Sequence, residues 1–121
     1  YLKIKIEINK LFNVADVMIL PSLIDNLPQI GLEAQTSGLP IITFRNSGLE
    51  ELITENETGL FAKKEDWISL SYEISNFFNN TEEGISKFRI NSRDRSLSQW
   101  SEEVVFKKYE NLYQNILNRN C

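Results

Sequence analysis

Histidine is absent from the 121 residues, and cysteine occurs once, at Cys121. Without histidine the chain cannot contain a Ser-His-Asp or Cys-His catalytic arrangement, and it lacks the commonest metal ligand. A single cysteine allows neither an internal disulfide nor a thiolate metal cluster. We therefore expect no metal site in this chain.

Positive charge is also scarce, because Lys and Arg number 13 against 17 Asp and Glu and the formal net charge is -4. A nucleic-acid-binding surface is therefore not expected. No apolar run approaches the roughly 20 residues of a membrane-spanning helix. Hydrophobic residues make up 41% and charged residues 25%, as in one modest globular domain. Because the sequence begins at Tyr1 in the middle of a pattern, we expect a piece of a longer protein.

Three short apolar runs predict β-strands that are buried on both faces, as in a parallel sheet. They span residues 16–20, 40–44 and 59–62. Helical signals separate them, so the strands and helices alternate as in a right-handed parallel α/β unit. The predicted fold class is therefore α/β, a partial Rossmann-like parallel sheet with flanking helices.

Helix signals lie around and after these strands. Residues 1–8 alternate like a strand, but helical spacing from Ile8 to Ala15 favours a helix that ends near Asn13. A second helix is predicted from Pro28 to a C-terminal cap at Gly38. The Ser-x-x-Glu pattern at 47–50 predicts a capping box that opens a third helix through about residue 54. From residue 65 onward the chain is predicted helical, with two apolar stripes interpreted as core. The stripes are Trp67, Leu70, Ile74 and Phe77, and Val105, Tyr109, Leu112 and Ile116.

The junction after the first predicted strand, residues 21–33, has the features of a ligand site. In parallel sheets, ligands bind outside the carboxyl ends of the strands, where a turn leads into a helix N-terminus. Backbone N–H groups of Gln29, Ile30 and Gly31, with the helix dipole behind them, would attract a phosphate. Asp25 and Glu33 lie eight residues apart and could accept paired hydrogen bonds from the vicinal hydroxyls of a sugar.

Ordinary interpretations stay open for these residues. Asp25 or Asn26 could serve only as the N-cap of the helix, and Glu33 could be a solvated helix residue. Arg89, Arg93 and Arg95 could contact acidic lipid head groups in a peripheral membrane contact. The acidic residues interleaved with these arginines instead favour a solvated helix face.

Five short motifs follow one another along residues 11–66 in a definite order. They are Ala15-Asp16-Val17-Met18-Ile19-Leu20-Pro21-Ser22, Asp25-Asn26-Leu27-Pro28, Gly31-Leu32-Glu33-Ala34, Ser37-Gly38-Leu39-Pro40-Ile41-Ile42 and Thr58-Gly59-Leu60. This set resembles the C-terminal domain of family 4 (group 1) retaining glycosyltransferases. The resemblance implies the GT-B fold, in which two Rossmann-like domains face each other across the active site. The chain would then be a truncated C-terminal nucleotide-sugar-binding domain, with strand-helix units at 1–64 and closing helices at 65–121.

The resemblance also implies roles for individual residues. The acidic pair of that family falls on Asp25 and Glu33, which are therefore the expected catalytic residues. Glu33 would bind the ribose hydroxyls of the nucleotide, and Asp25 would contact the transferred sugar. The resemblance further implies that no metal and no cofactor is needed, with the nucleotide sugar acting as the donor substrate. The further substrate-binding residues would be Asn26, Leu27, Pro28, Gln29, Ile30, Ser47 and Gly48, with a helix-capping role open for Ser47.

Basic side chains that could neutralise a diphosphate are few. Residues 1–62 contain four basic and eight acidic side chains. In the family that the chain resembles, a basic pair lies upstream of this part of the domain. Arg45 is the one substitute that this region offers, and an ordinary surface arginine is the alternative.

The resemblance predicts the donor-binding part of a hexosyltransferase that moves a hexose from a UDP- or GDP-sugar to a saccharide or lipid-linked acceptor. The expected partners are donor, acceptor and the N-terminal domain of the same protein, in a bacterial polysaccharide pathway. The expected location is cytoplasmic, at the inner face of the membrane, and the isolated chain is expected to be inactive. The alternative is a non-catalytic α/β interaction module that keeps this fold. A phosphoacceptor receiver domain is excluded, because Asp16 lies at the start of the first predicted strand and a phosphorylated aspartate should lie at its end.

Overall fold

A computed structural model describes the backbone of residues 2–119 and the side chains of residues 7–119. Helices and strands alternate as far as β2, β3 follows β2 without a helix between them, and three helices complete the described chain. In chain order they are α1 (Leu2–Val14), β1 (Met18–Leu20), α2 (Gln29–Thr36), β2 (Ile41–Phe44), β3 (Gly59–Ala62), α3 (Trp67–Phe78), α4 (Glu82–Trp100) and α5 (Glu102–Arg119). Helix α1 confirms the prediction of a helix that ends near Asn13.

The three strands form one parallel sheet in the order β1-β2-β3, so the predicted fold class is confirmed. Met18 pairs with Ile41 and Ile41 pairs with Gly59. Strand β2 lies in the middle and all four of its residues are buried, as its uninterrupted apolar run requires. Because the strands are parallel, the segments that follow β1 and β2 leave the sheet at the same edge.

Helix α2 ends as its sequence predicts, but its start differs by one residue. Gly38 has a φ of +76°, and its N–H donates to the carbonyl of Gln35 while the N–H of Leu39 donates to that of Ala34. This pair of bonds is a Schellman cap, which the glycine permits because it has no Cβ. Pro28 is the N-cap of α2 rather than its first helical residue.

The third predicted helix, at 47–54, is wrong, because this segment forms turns and then an isolated bridge at Glu55. The hydroxyl of Ser47 donates to the carbonyl of Phe44 (2.7 Å) and so does not cap the following N–H groups. The carboxylate of Glu50 folds back onto the N–H groups of Asn46 and Gly48. The side chains of the capping-box pattern thus close a loop, and the chain turns into β3 before a helix can form.

The C-terminal helices attach to the sheet in different ways. Leu70 and Phe77 of α3 pack with β2 and β3, which confirms that stripe as core, although Trp67 stays 60% exposed at its end. Helix α4 packs on α2 and buries only Phe88, Ser92 and Ser96. Helix α5 has no buried residue, so the second stripe is not core within the described part of the chain. Within residues 2–119 this helix packs chiefly on α4, and its side chains stay exposed or only partly buried.

Candidate functional site

The loop between β1 and α2, residues 21–28, carries Asp25 at the edge of the sheet. The Asp25 carboxylate accepts hydrogen bonds from the N–H of Asn26 (2.8 Å) and from the hydroxyl of Ser22 (3.3 Å). The N–H of Asp25 donates to the carbonyl of Ser47 (2.7 Å). No side chain caps α2, so the interpretation of Asp25 or Asn26 as its N-cap is wrong. The carboxylate is therefore held by its own loop and keeps lone pairs for a ligand.

Backbone N–H groups are open at the start of α2, as the sequence predicts, but there are two rather than three. The N–H of Gly31 donates to the carbonyl of Pro28 (3.0 Å), and the N–H of Leu32 shares that acceptor (3.3 Å). Gln29 and Ile30 have no acceptor for their N–H groups within residues 2–119. Two free donors and the positive end of the helix dipole therefore face the edge of the sheet where Asp25 lies.

The residues between Asp25 and α2 differ in what they present. Asn26 is exposed at the tip of the turn. Leu27 has a φ of +49° and packs its side chain against the cluster of Ile41 and Leu52. Pro28, as the N-cap, contributes its carbonyl to the first turn of α2. Asn26 thus faces solvent, whereas Leu27 anchors the turn to the core.

Glu33 lies on the second turn of α2, on the side facing α1 and α4. It is half-buried, and one carboxylate oxygen accepts a hydrogen bond from the side-chain amide of Gln29 (2.9 Å). The carboxylate borders an open cavity of about 420 Å³, with Asn9 and Asn13 of α1 and Trp100 of α4 on other walls. No pattern along the chain indicates this cavity, because its walls come from three separate helices.

The second loop at this edge, residues 45–54, supports Asp25 from behind. Ser47 is only 2% exposed, and its hydroxyl donates a hydrogen bond to the carbonyl of Phe44. Gly48 has a φ of +91°, and a Cβ built there would lie 1.9 Å from the carbonyl oxygen of Asp25. Only glycine fits such an approach in that backbone conformation. Ser47 and Gly48 thus fix the position of the Asp25 backbone.

Two charged residues of the second loop, Arg45 and Glu50, are engaged within the chain. Arg45 forms an ion pair with Glu55 and stacks on the ring of Phe61, 4.9 Å from its centroid. It is therefore not an unpaired surface arginine. Glu50, which sequence reasoning placed only in a capping box, satisfies the N–H groups of Asn46 and Gly48. The two donors at the start of α2 are thus the more open anion-binding feature of this edge.

The arginines of α4 are turned toward the rest of the chain. Arg89 donates a hydrogen bond to the carbonyl of Ala15, in the segment before β1 (2.8 Å). Arg95 donates its shortest hydrogen bond to the carbonyl of Glu51 (2.6 Å). Arg93 donates to the end of α2 at 3.3 Å. The sequence favoured a solvated helix face for these three arginines, and that prediction did not include their hydrogen bonds to the backbone. Their acceptors are the carbonyls of Ala15, Thr36, Glu51 and Leu52.

Clusters of metal-ligating side chains and membrane-spanning helices are both absent from the described residues. Among side chains 7–119, no group of three or more acidic or cysteine residues could hold a metal ion. Within that part of the chain, no helix combines the length and the apolar character needed to cross a bilayer. The chemistry on offer at the site is therefore that of carboxylates, carboxamides and backbone N–H groups.

Comparison with known proteins gives a consistent result. Residues 2–95 match the family model described as glycosyl transferases group 1. The chain is 24% identical over 106 residues to the capsular polysaccharide biosynthesis glycosyltransferase CapM of Staphylococcus aureus, covering 88% of this chain and 28% of that protein. It is 28% identical over 120 residues to the N,N'-diacetylbacillosaminyl-diphospho-undecaprenol alpha-1,3-N-acetylgalactosaminyltransferase of Campylobacter jejuni, covering 97% and 31%. The chain thus spans under a third of the length of these relatives.

A solved structure shows the same fold. The sucrose-phosphate synthase of Thermosynechococcus elongatus superimposes with a TM-score of 0.79 at 22% identity. The match covers 90% of this chain and 27% of that one. The parallel sheet and its helices therefore correspond to part of a GT-B architecture.

Proposed function

The chain belongs to the family of group 1 glycosyl transferases, and on this premise we propose that it binds the nucleotide-sugar donor of a retaining hexosyltransferase of family 4. It would form the C-terminal domain of that enzyme, with strand-helix units at 1–64 and closing helices at 65–121. The N-terminal domain of the same protein would complete the cleft. Because the acceptor-binding N-terminal domain is not part of this chain, we expect the isolated chain to be inactive.

One observation carries the proposal. The free N–H groups of Gln29 and Ile30 lie at the same edge of the sheet as the Asp25 carboxylate, and Glu33 follows on the same helix. Two N–H groups on a helix N-terminus suit a phosphate oxygen, and carboxylates suit sugar hydroxyls. A nucleoside diphosphate sugar carries both kinds of group in one molecule.

The proposed mechanism is electrostatic. The N–H groups of Gln29 and Ile30 stabilise the negative charge that grows on the diphosphate as the donor bond breaks. Asp25 contacts the transferred hexose and stabilises the positive charge developing on it, and Glu33 holds the ribose hydroxyls. The departing phosphate accepts the proton of the acceptor hydroxyl, which attacks from the same face, so the configuration is retained. No metal or additional cofactor takes part.

The class of acceptor, the pathway and the cellular location are inferred from the names of the relatives. Among the relatives, the protein of Staphylococcus aureus is named for capsular polysaccharide biosynthesis, and that of Campylobacter jejuni for a diphospho-undecaprenol compound. We accordingly propose a bacterial polysaccharide pathway, with a UDP- or GDP-hexose as donor and a saccharide or lipid-linked acceptor. The enzyme would work in the cytoplasm, in peripheral contact with the inner face of the membrane.

The test is titration of UDP, GDP and ADP into the intact natural polypeptide and its Glu33→Gln variant. We expect one nucleotide to be preferred and the variant to bind it roughly 1–3 kcal/mol more weakly, as for loss of a charged hydrogen-bond partner. Glu110→Gln, an exposed position on α5, is the matched control and should leave the affinity unchanged. Equal affinity of the wild type and Glu33→Gln would disprove the role of Glu33.

The same titration tests the alternative function. Arg45 is the one basic residue between residues 21 and 62, and its ion pair with Glu55 leaves little free positive charge here for a diphosphate. This observation favours a non-catalytic module that kept the fold and lost its donor. A folded polypeptide that binds none of the three nucleotides would establish that alternative.

A further inference from the structure

Leu27, in the loop between β1 and α2, has a backbone conformation that leucine disfavours. Its φ of +49° lies in the left-handed region. Among residues 2–119, the other non-glycine residues with a positive φ are the polar residues Asn46, Asn56 and Glu65. A Cβ makes this region unfavourable, and asparagine tolerates it better than leucine because its short polar side chain can bond locally. The backbone at Leu27 is therefore strained.

The proline that follows Leu27 adds to this strain. A residue that precedes proline prefers an extended backbone with a φ of about −120°. Leu27 precedes Pro28 and departs from that preference. Residues strained in this way persist only where the surrounding structure holds them, and they concentrate at functional sites. Contacts beyond the local chain must therefore hold Leu27.

The side chain of Leu27 makes those contacts. It is half-buried and packs against a hydrophobic cluster of β2 and the second loop. The cluster residues are Ile41, Leu49, Leu52 and Ile53. Removal of this apolar surface from water offsets the backbone strain. Leu27 is thus an anchor that joins the loop before α2 to the second loop.

Two parts of the candidate site depend on the turn that Leu27 forms. Asp25 lies two residues before it, and the free N–H group of Gln29 lies two residues after it. The backbone angles between these residues set the direction of the carboxylate relative to the N–H group. Relaxation of Leu27 to an extended backbone would change that direction.

We propose that Leu27 is a positioning residue, which orients the Asp25 carboxylate and the N–H groups at the start of α2 before the donor binds. Its side chain acts through these groups and not on the reacting atoms. The choice of a nucleotide-sugar donor rests on the proposed function, whereas the strained turn and its anchor do not. A turn that is ordered in advance lowers the entropic cost of binding, so the affinity for the donor depends on the anchor.

The test compares three variants of the intact natural polypeptide. Leu27→Ala keeps a Cβ, and hence the strain, but removes most of the anchor. Leu27→Met keeps an apolar side chain of similar volume and should restore the wild-type behaviour. Ile53→Val removes one methylene from the same cluster outside the turn and is the control for a general loss of stability.

Amide hydrogen exchange without ligand measures the order of the turn. The N–H group of Asp25 donates to the Ser47 carbonyl, and that of Asn26 donates to the Asp25 carboxylate. We expect both to exchange about 10-fold faster in Leu27→Ala, because the turn opens more often. The N–H group of Leu70, bonded within the first turn of α3, is the internal reference and should not change. Leu27→Met and Ile53→Val should exchange as the wild type does.

Calorimetric titration measures the consequence for binding. The nucleoside diphosphate that the wild type prefers should bind Leu27→Ala about 3- to 10-fold more weakly, because a smaller fraction of the molecules has the competent turn. The free nucleoside, which lacks the phosphates, should bind all variants alike. A merely structural role would lower stability without separating these two ligands.

Other outcomes overturn the inference. Unchanged exchange of Asp25 and Asn26 in Leu27→Ala, or equal acceleration at Leu70, would show that the anchor does not hold this turn. Faster exchange with unchanged diphosphate affinity would show that the turn does not serve the site. If Leu27→Ala does not fold, Leu27→Cys, which keeps one more heavy atom, replaces it. If the wild type binds no nucleotide, the proposed function fails, and the exchange rates still decide whether Leu27 holds the turn.

Discussion

Two loops leave the carboxyl ends of neighbouring parallel strands, and they differ in whether their backbone N–H groups have hydrogen-bond acceptors within the described chain. The loop after β1, residues 21–28, leads into α2 and leaves the N–H groups of Gln29 and Ile30 without an acceptor in the described chain. The loop after β2, residues 45–54, forms no helix, and Glu50 accepts hydrogen bonds from two of its N–H groups.

This difference indicates which loop binds a ligand and which supports it. An orphaned N–H group at a helix start needs an acceptor, and a bound anion can provide one. The second loop already holds an anion of its own in the Glu50 carboxylate. Gly48 of the second loop packs closely against the carbonyl of Asp25 in the first loop. The first loop is therefore the binding loop, and the second holds it in place.

Gly48→Ala should have the largest effect on this arrangement. The added Cβ would lie 1.9 Å from the Asp25 carbonyl oxygen, in a backbone conformation that L-residues disfavour. The loops must separate, and we expect roughly 3 kcal/mol of lost stability from the combined steric and backbone strain. Urea unfolding of the intact polypeptide measures this loss.

Gly84→Ala in α4 is the control for that experiment. A Cβ at Gly84 would lie 3.3 Å from its nearest neighbour, the Cβ of Asn80, and alanine has the higher helix propensity. Stability should stay within about 1 kcal/mol of the wild type. Similar losses in both variants would show that the two loops are not braced through Gly48.

Gln29→Pro should have the next largest effect, and on binding rather than on stability. Proline removes one free N–H group but suits the first helical position, and the preceding residue Pro28 has a compatible ψ of 134°. We expect the nucleoside diphosphate that the enzyme prefers to bind about 2 kcal/mol more weakly, as for a hydrogen bond to a charged group. Calorimetric titration measures the change.

Gln29→Ala separates the backbone from the side chain, because it keeps the N–H group and removes the bond to Glu33. The free nucleoside, which has no phosphate, should bind Gln29→Pro and Gln29→Ala equally. Equal diphosphate affinity in these two variants would contradict the role of the Gln29 N–H group.

Glu50→Gln should have the smallest effect. The carboxamide offers one acceptor oxygen where the carboxylate offers two, so one loop N–H group loses its partner and stability falls by about 1 kcal/mol. Glu51→Gln is the neighbouring control, since no bond of its carboxylate is seen in the described chain, and it should change stability by less than about 0.5 kcal/mol. Thermal unfolding compares them. A gain in nucleotide affinity in Glu50→Gln would show that the second loop also competes for the anion.

Much of the fold could be predicted from local patterns. Apolar runs located all three strands, and Gly38 marked the end of α2 because a left-handed residue favours glycine. The placement of Asp25 on a loop before a helix followed from the same patterns. These features depend on residues close together in the chain, and short-range sterics and burial decide them.

Other features could not be predicted, because they depend on residues far apart in the chain. The capping-box pattern at Ser47 predicted a helix, but the carbonyl of Phe44 takes its hydroxyl. The stripe of α5 predicted core, but helical spacing does not show what a face meets. Arg95 looked solvated, whereas its guanidinium group holds two backbone carbonyls more than forty residues away.

The sequence by itself determined the three strands, the helix between the first two, the open N-terminus of α2 and the presence of an acidic residue on each side of it. Periodicity and backbone preference are properties of short segments, so they can be read without the fold. The tertiary structure alone decided that Gly48 braces Asp25, that Glu50 closes the second loop and that three helices line an open cavity beside Glu33. Those relations arise only when packing brings separate segments within a few ångströms of each other.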